Sequence, residues 1–510
     1  FVVFFFGKQW GYDEFGVLLT QVELNNKYFI EFYTSFLNQL FHDQFITKTI
    51  LESLPLFITP LRWTYAIGIS PIYSLMYFYP LDWKIASKLF LLIHIFIAGI
   101  GLHLIAKNIG SKEKNYGILL ILLSLILLSK NFNYWVLTLT HYSFNLICFG
   151  LLAVIYANNN YSSSTKVFSV KSFSLLGVSM LNYFYVPILV TIAVLEIINL
   201  RLKFFYNGNY KSWILPAIGS LVGLCFILIR SNFLNEFGLW SQDIYLEYLV
   251  YENMFSETLI NFSERLLQIF SYFYLDNDYS QSFIYQRSFD INILQAFLII
   301  FSVMALVILG FKFSPNKNIA YLCLVIISVV FIEYIFTVIP MIPSRHSLIL
   351  FIPMSYFISV LAVELLSYLK NQLIINSSLI GLFGMALILF FDDLNRQNKS
   401  NKNVDIYTIN SCLNDKVDQV ILDQCYLYPT MYNSFREGYD PVYSCGSRVI
   451  QKISDDSKKI AFISNTMSLK DEMYIKQFIN KEDMLVLNNN YKCEIENIDI
   501  SFYSIKNENK

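Results

Sequence analysis

The sequence predicts a polytopic α-helical membrane protein with a small α/β domain at its carboxyl end. Of its 510 residues, 55% are hydrophobic and only 15% are charged, whereas soluble domains average roughly 25% charged residues. Many windows of mostly apolar sequence are long enough to cross a bilayer, which takes about 20 residues. From about residue 393 the chain turns polar and rich in Asn, Asp and Lys, which predicts a separate soluble domain.

Ten apolar runs give about eleven predicted spans, because the run 172–200 has basic residues on both flanks and is counted as two short passes or a re-entrant hairpin broken near Asn182–Tyr183. The first run is a truncated span, since no initiator Met precedes it and we expect further sequence upstream. The stretch 55–80 is excluded by its four prolines and Arg62. The runs are 1–6, 86–106, 116–129, 136–157, 172–200, 213–229, 291–311, 319–339, 346–366 and 374–391.

The orientation follows from the basic residues, which favour cytoplasmic loops. Alternate short loops hold eleven Lys or Arg residues between them, while the short loops on the other side, around 130–135, 183–185 and 340–345, hold only Lys130 and Arg345. We therefore expect the outer loops 7–85 and 230–290, and the tail, to lie outside. The basic loops are 107–115, 158–171, 201–211, 312–318 and 368–372.

Two domains follow from this layout: a transmembrane domain over 1–392 and an external soluble domain over 393–510. The runs 417–423 and 458–464 alternate like β-strands, which gives the tail its predicted α/β character. The net charge of −1 provides no overall field for nucleic acid, so the lipid bilayer is the partner that the composition indicates.

Four of the seven cysteines lie in the tail, and an even number in an external domain predicts two disulfides. Three pairings are open. The preferred one joins Cys412 to Cys425 and Cys445 to Cys493, because the first two are close in sequence. The other cysteines occur singly in apolar runs and are expected to be buried packing residues, namely Cys148, Cys225 and Cys323.

Three short motifs carry a family resemblance. An acidic pair, Asp13–Glu14 in "GYDEFGVLL", follows the first span; "TPLRWTYAIGISPIYSL" precedes the next; and "PSRHSLILFIPM" opens a late one. In this layout, over roughly 1–391, the chain resembles the GT-C class of membrane glycosyltransferases. Within that class it looks like the protein O-mannosyltransferases and lipid A aminoarabinose transferases of the family 39 and 83 type.

The residues also argue for this chemistry without the resemblance. When the donor is a sugar on a polyprenyl phosphate, the polyprenyl phosphate leaves as an anion, so no general acid is needed, and one carboxylate suffices as a base for the acceptor hydroxyl. The phosphate needs cationic partners at the membrane surface. The outer face offers both kinds of group, with carboxylates at Asp13 and Glu14 and cations at Arg62, Lys130 and Arg345.

The resemblance implies particular roles for these side chains. Asp13 is the expected base and Glu14 its neighbour, so a sugar moves in a single displacement from a polyprenyl-phosphate donor to a lipid, glycan or protein acceptor. Arg345 is the leading candidate for binding the donor phosphate, followed by Lys130 and Arg62. The site would be lined by Trp63, His346 and Tyr142. The expected location is a bacterial inner or cell membrane, with the site facing outside.

No cofactor is predicted. The five His residues are scattered through the sequence and form no metal-spaced cluster, although some GT-C enzymes use a divalent metal and the metal question therefore stays open. Two other functions also stay open: an O-antigen polymerase, and a flippase or transporter of lipid-linked oligosaccharides. Transporters tend to carry intramembrane charges and repeated halves, whereas these apolar runs hold few charges and show no repeat.

Overall fold

The computed structural model describes about half of the helical part of the chain and five strands of the tail. The five strands belong to one compact unit, and the residues from Leu91 to Gln397 fall in another. The described residues are 83–109, 113–136, 144–157, 178, 182, 185–192, 194–195, 255–275, 289–335, 341, 343, 347–368, 372–400, 419–422, 442–445, 459–465, 485–495 and 498–505.

Nine α-helices occur within these residues. Seven of them overlap seven of the predicted apolar runs, and the other two, α3 and α5, are shorter or more polar. Helix α5 continues into a π-helical turn, Ser271–Leu275. The helices are α1 (Trp83–Ile109), α2 (Glu113–Leu128), α3 (Lys130–Val136), α4 (Asn145–Ala157), α5 (Phe255–Phe270), α6 (Ile293–Phe313), α7 (Lys317–Ile335), α8 (Leu348–Ser367) and α9 (Gln372–Ser400).

Four of the described helices are long and apolar enough to cross a membrane, namely α6, α7, α8 and the part of α9 from Leu373 to Asp392. Helices α6 and α9 leave large apolar side chains exposed along their length, including Phe297, Phe301 and Ile388. An apolar surface of this kind suits contact with lipid rather than water. The protein is therefore a polytopic helical membrane protein. The runs 1–6 and 213–229 lie outside the described residues, so the total of eleven spans and their orientation stay predictions.

The predicted break in the run 172–200 is confirmed at Asn182. This residue is not helical, while Val178 before it and residues 186–192 after it are. Asn182 donates its backbone N–H to the carbonyl of Val178 and accepts from the N–H of Tyr185. Asn182 is also buried, so the interruption of the helix lies inside the helical unit.

Helix α8 is the centre of the helical unit. All ten residues from Leu348 to Phe357 are buried, because α2, α3, α4, α6 and α7 all pack against it. Gly310 of α6 faces Phe357 so closely that a Cβ atom at Gly310 would lie 2.7 Å from that ring. Gly117 of α2 faces Val363 in the same way at 3.2 Å. Small residues thus bring two neighbours into close contact with α8.

A two-helix hairpin joins α6 to α7 through the short turn 314–316. The Ser314 hydroxyl bonds to the Tyr356 hydroxyl at 2.7 Å, and the Asn316 side chain accepts from the N–H of Ile319 to begin α7. Lys317 donates to the carbonyls of Phe311 and Lys312, both at 2.7 Å. These bonds satisfy backbone groups that a helix end leaves free.

Helices α1 and α4 cross with their backbones almost touching. A Cβ atom at Gly101 would lie 2.6 Å from the backbone N of Ile147, and one at Gly150 would lie 3.0 Å from the carbonyl O of Gly101. Glycine at a crossing lets two membrane helices approach closely. By contrast, a Cβ atom at Gly99 on the same helix meets nothing within 4 Å.

The tail contains a mixed five-stranded sheet. The strands are β1 (Gln419–Leu422), β2 (Val442–Cys445), β3 (Lys459–Asn465), β4 (Leu485–Ile495) and β5 (Ile498–Ile505), in the order β2-β1-β3-β5-β4. Strands β1, β2 and β3 are parallel, and β5 pairs antiparallel with β3 and β4. Strands β1 and β3 confirm the two predicted strands. The predicted helices of this α/β domain lie outside the described residues.

The register corrects the preferred disulfide pairing. Cys493 pairs with Ile500, Ile500 with Ile463, Ile463 with Leu422, and Leu422 with Cys445. The two cysteines therefore stand at opposite ends of one row across the whole sheet. Four steps of about 4.8 Å separate them by roughly 19 Å, whereas disulfide-bonded Cα atoms lie at most about 7 Å apart. The predicted Cys445–Cys493 bridge is therefore wrong.

The glycine crossing predicts that Gly101→Ala destabilises the protein while Gly99→Ala does not. The added methyl at residue 101 meets the backbone of α4, which cannot move aside as a side chain could, and overpacking typically costs about 1–3 kcal/mol. We expect a lower melting temperature and yield for Gly101→Ala in detergent. At Gly99 the methyl has room and favours the helix. Equal melting temperatures for the two variants would contradict the close crossing.

The sheet register predicts which tail disulfides can exist. Non-reducing peptide mapping, with thiols alkylated during denaturation to prevent exchange, should find no peptide that links Cys445 to Cys493. If the tail is oxidised, its bridges come from the two remaining pairings, Cys412–Cys445 with Cys425–Cys493, or Cys412–Cys493 with Cys425–Cys445. Recovery of a Cys445–Cys493 peptide as the main species would show that the strand order is wrong.

Candidate functional site

Buried polar residues gather where α8 begins. Asn145, the first residue of α4, donates its side-chain amide to the carbonyl of Leu348 at 3.0 Å. The hydroxyl of Tyr185 donates to the side-chain oxygen of Asn145. Asn145 and Tyr185 are both almost fully buried, so this hydrogen bonding is shielded from solvent. It ties α4 and the segment that follows the break at Asn182 to the first turn of α8.

The last turn of α7 reaches the same place. The Tyr334 hydroxyl donates to the Ser347 hydroxyl oxygen at 2.9 Å, and both residues are buried. Ser347 precedes the first residue of α8, and its side chain makes no hydrogen bond to the helix backbone there. Ser347 thus connects α7 to α8. Glu333, directly before Tyr334, is buried as well.

Helix α3 packs on this end of α8 through Phe132, whose ring stacks on Phe351 with centroids 4.2 Å apart. Two polar side chains fix α3 to the π-helical turn. Asn131 donates to the carbonyl of Tyr272 at 2.7 Å, and the Trp135 indole donates to the Tyr272 hydroxyl at 2.7 Å. Lys130, a predicted phosphate ligand, is the first residue of α3 and is half-buried.

The π-helical turn adds a tyrosine to the same cluster. The Tyr274 hydroxyl bonds to the Ser355 hydroxyl at 2.8 Å, and its ring stacks on Phe351 at 5.3 Å. Burial raises the pKa of the Tyr274 phenol well above its usual range, so this hydroxyl stays neutral. It acts as a hydrogen-bonding group and not as a base.

Helix α5 contacts the start of α6 and the last part of α7. The Ser263 hydroxyl donates to the carbonyl of Ala296 at 3.2 Å, and a Glu264 carboxylate oxygen accepts from the N–H of Phe289 at 3.1 Å. The Phe262 ring meets Phe331 of α7 edge to face at 6.0 Å. We call this region, where α3, α5 and the π-helical turn meet the beginning of α8 and the last turn of α7, the covered end.

Sequence reasoning missed α5 as part of the candidate site. Its apolar residues recur at helical spacing, as at Leu259, Phe262, Leu266 and Phe270, and this amphipathic pattern in the predicted loop 230–290 was the available signal. The sequence analysis also gave no role to Glu333, which is one of the few charged residues within the apolar runs. The carboxylate's burial depends on contacts between helices and could not be read from the sequence.

The structure describes one of the eight predicted site residues, Lys130, and it lies at the covered end. The others lie outside the described residues. In the chain, Arg345 and His346 stand directly before Ser347, and Tyr142 stands three residues before Asn145, so both segments lead into the covered end. The predicted site residues outside the described part are Asp13, Glu14, Arg62, Trp63, Tyr142, Arg345 and His346.

Among the described residues, no group of three or more His, Cys, Asp or Glu side chains could hold a metal ion. The predicted acidic pair is not among those residues, so a divalent metal stays open. Cys148 and Cys323 are buried with free thiols, as expected for packing residues.

The chain was compared with known proteins. No family model matches it, and neither does any curated protein sequence. Among solved structures, it is similar to the crystal structure of ArnT from Cupriavidus metallidurans bound to undecaprenyl phosphate, with 10% identity over 86% of this chain and 88% of that chain and a TM-score of 0.45. ArnT is a GT-C aminoarabinose transferase, which is the group that the sequence motifs resemble. At these values the likeness by itself assigns no activity to this chain.

Proposed function

We propose that the protein is a membrane glycosyltransferase that moves a sugar from a polyprenyl-phosphate donor to an acceptor hydroxyl at the outer face of a bacterial cell membrane. The donor phosphate binds at the covered end. The acceptor is an envelope lipid, a glycan or a protein. The proposal combines the sequence motifs with the chemistry that the covered end can support.

The observation that carries the proposal is the meeting of two cation-bearing segments at α8. Lys130 begins α3, and two residues later Phe132 stacks on Phe351 in the first turn of α8. Ser347, one turn before Phe351, is bonded to Tyr334 and follows Arg345 by two residues in the chain. Lys130 therefore begins a helix that packs on the first turn of α8, the helix that Arg345 precedes in the sequence, and the proposal assigns both cations to the donor phosphate.

The reaction needs few groups. A polyprenyl phosphate leaves the anomeric carbon as an anion, so cations that stabilise its charge replace a general acid. Asp13 removes the proton from the acceptor hydroxyl as that oxygen attacks the anomeric carbon. Glu14 supports Asp13 or helps to place the acceptor. Sugar configuration is inverted because the attack is a single displacement.

The direct test is incubation of the purified protein with a panel of polyprenyl-phosphate sugars. We expect consumption of at least one of them, with transfer to a supplied acceptor and release of polyprenyl phosphate. A flippase would instead move the intact lipid-linked sugar across proteoliposomes without consuming it. Movement without consumption over the whole panel would contradict the proposed transfer.

Asp13→Asn removes the proposed base and retains the side-chain size. Because a positioned general base typically contributes about 10²- to 10⁴-fold to rate, we expect turnover to fall by that factor while donor affinity persists. Glu14→Gln should be milder. The matched control is Asp290→Asn, since Asp290 is also a carboxylate next to a predicted span and is exposed. Transfer rates for Asp13→Asn equal to those of the control would contradict the mechanism.

Lys130→Ala removes one proposed phosphate ligand. A hydrogen bond to a charged group is worth about 1.5–3 kcal/mol, so we expect donor affinity to fall by about tenfold or more. Arg345→Ala should act in the same direction. Lys312→Ala is the control, because Lys312 is exposed in the last turn of α6, away from the covered end. Unchanged donor affinity in Lys130→Ala would remove Lys130 from the site.

A further inference from the structure

Glu333 is a buried carboxyl group with nothing in the described part of the chain to bond to it. It lies in the last turn of α7 and is 5% exposed. Within the described residues, neither of its carboxyl oxygens has a hydrogen-bond partner. Burying such a group without a partner costs several kcal/mol, and ionisable residues in membrane helices usually serve function for that reason.

Polar groups where α7 ends and α8 begins are bonded to one another. Tyr334 donates to Ser347 at 2.9 Å, and Asn145 donates to the carbonyl of Leu348 at 3.0 Å. Tyr185 donates in turn to Asn145. These hydrogen bonds do not include Glu333, whose carboxyl oxygens remain as acceptors without a donor among the described residues.

Packing alone does not explain a glutamate at this position. The buried residues one and two turns earlier on the same side of α7 are apolar, namely Ile326, Val329 and Val330. A leucine at residue 333 would continue that apolar side without the cost of a buried carboxyl group. The carboxyl group is therefore best explained by a ligand that supplies hydrogen-bond donors.

We propose that Glu333 binds the sugar of the lipid-linked donor, by accepting hydrogen bonds from its hydroxyl or amino substituents. This inference rests on the proposed function and names a residue that determines sugar specificity. A carboxyl group has two oxygens that accept hydrogen bonds, which matches neighbouring donors on a sugar ring.

Glu333 and Lys130 lie on helices that both pack against the beginning of α8. The last turn of α7 contacts Ser347, directly before α8, through Tyr334, and α3 contacts Phe351 in the first turn of α8 through Phe132. The proposal therefore places the sugar at the end of α7 and the donor phosphate at the start of α3.

Binding measurements with two lipids test the inference. The probes are undecaprenyl phosphate alone and undecaprenyl phosphate carrying the sugar, hexose or aminopentose, that wild-type protein transfers fastest. In Glu333→Leu we expect affinity for the sugar-bearing lipid to fall about 10- to 100-fold, as expected when hydrogen bonds to a charged group are lost, and affinity for the bare lipid to stay unchanged. Glu333→Gln, which keeps one acceptor oxygen, should lose less.

The control variant is Glu364→Gln, which alters a half-buried carboxylate toward the far end of α8 and should bind both lipids as wild type does. Melting temperatures of all variants report folding, and the near-isosteric Glu333→Gln keeps the test informative if Glu333→Leu fails to fold. Equal losses for both lipids, or losses for neither, would overturn the inference. If wild-type protein transfers the sugar and the Glu333 variants keep the same preference for the sugar-bearing lipid over the bare lipid, this inference fails and the proposed function stands. Wild-type protein that binds neither lipid defeats the proposed function as well.

Discussion

The enclosure of the first half of α8 by other helices is the constraint on which the rest of the helical unit depends. A backbone or side-chain polar group inside a membrane protein must find its partner within the protein, because lipid offers none. Polar groups of this half form hydrogen bonds with neighbouring elements. Asn145 bonds to the carbonyl of Leu348, Tyr274 to Ser355, and Ser314 to Tyr356. Helix α4, the π-helical turn and the end of α6 are therefore held to α8 by hydrogen bonds as well as by packing.

Glycine determines how closely the neighbours approach. At Gly310 the absence of a side chain lets α6 lie against the Phe357 ring, and at Gly101 it lets α1 lie against the backbone of α4. In lipid, helix association relies on such close packing, since there is no hydrophobic driving force between apolar helices. The outward sides of α6 and α9 carry the large apolar residues instead, as lipid-facing surfaces do.

The sequence predicted local structure well, but it did not predict contacts between residues that are distant along the chain. The run 319–339 predicted α7 to within a few residues, and 458–464 predicted β3, because the signal in each case is a local pattern of apolar residues. The order of the strands is set by contacts between distant segments, so the pairing of Cys445 with Cys493 seemed plausible until the register separated them. The same limit applied to α5, whose amphipathic pattern shows one buried side but not what covers it.

In the candidate site, too, the sequence predicted local features but not contacts between distant segments. Lys130 was identified as an outer-face cation from its place between two apolar runs, and the structure adds that α3 is held by Asn131, Phe132 and Trp135. A lysine at the start of so firmly held a helix has its Cα position defined before any ligand binds, which reduces the entropy cost of binding. The burial of Glu333 had no local signal, because it arises only when α7 packs against α4 and α8.

Charge limits how a donor can sit in the proposed site. The donor phosphate is an anion, and in a medium of low dielectric a nearby cation stabilises it strongly. The proposal therefore places the phosphate beside Lys130, with the hydroxyl or amino groups of the sugar toward Glu333. In that arrangement Glu333 binds the sugar, and the negative charge that develops on the leaving phosphate stays next to a cation.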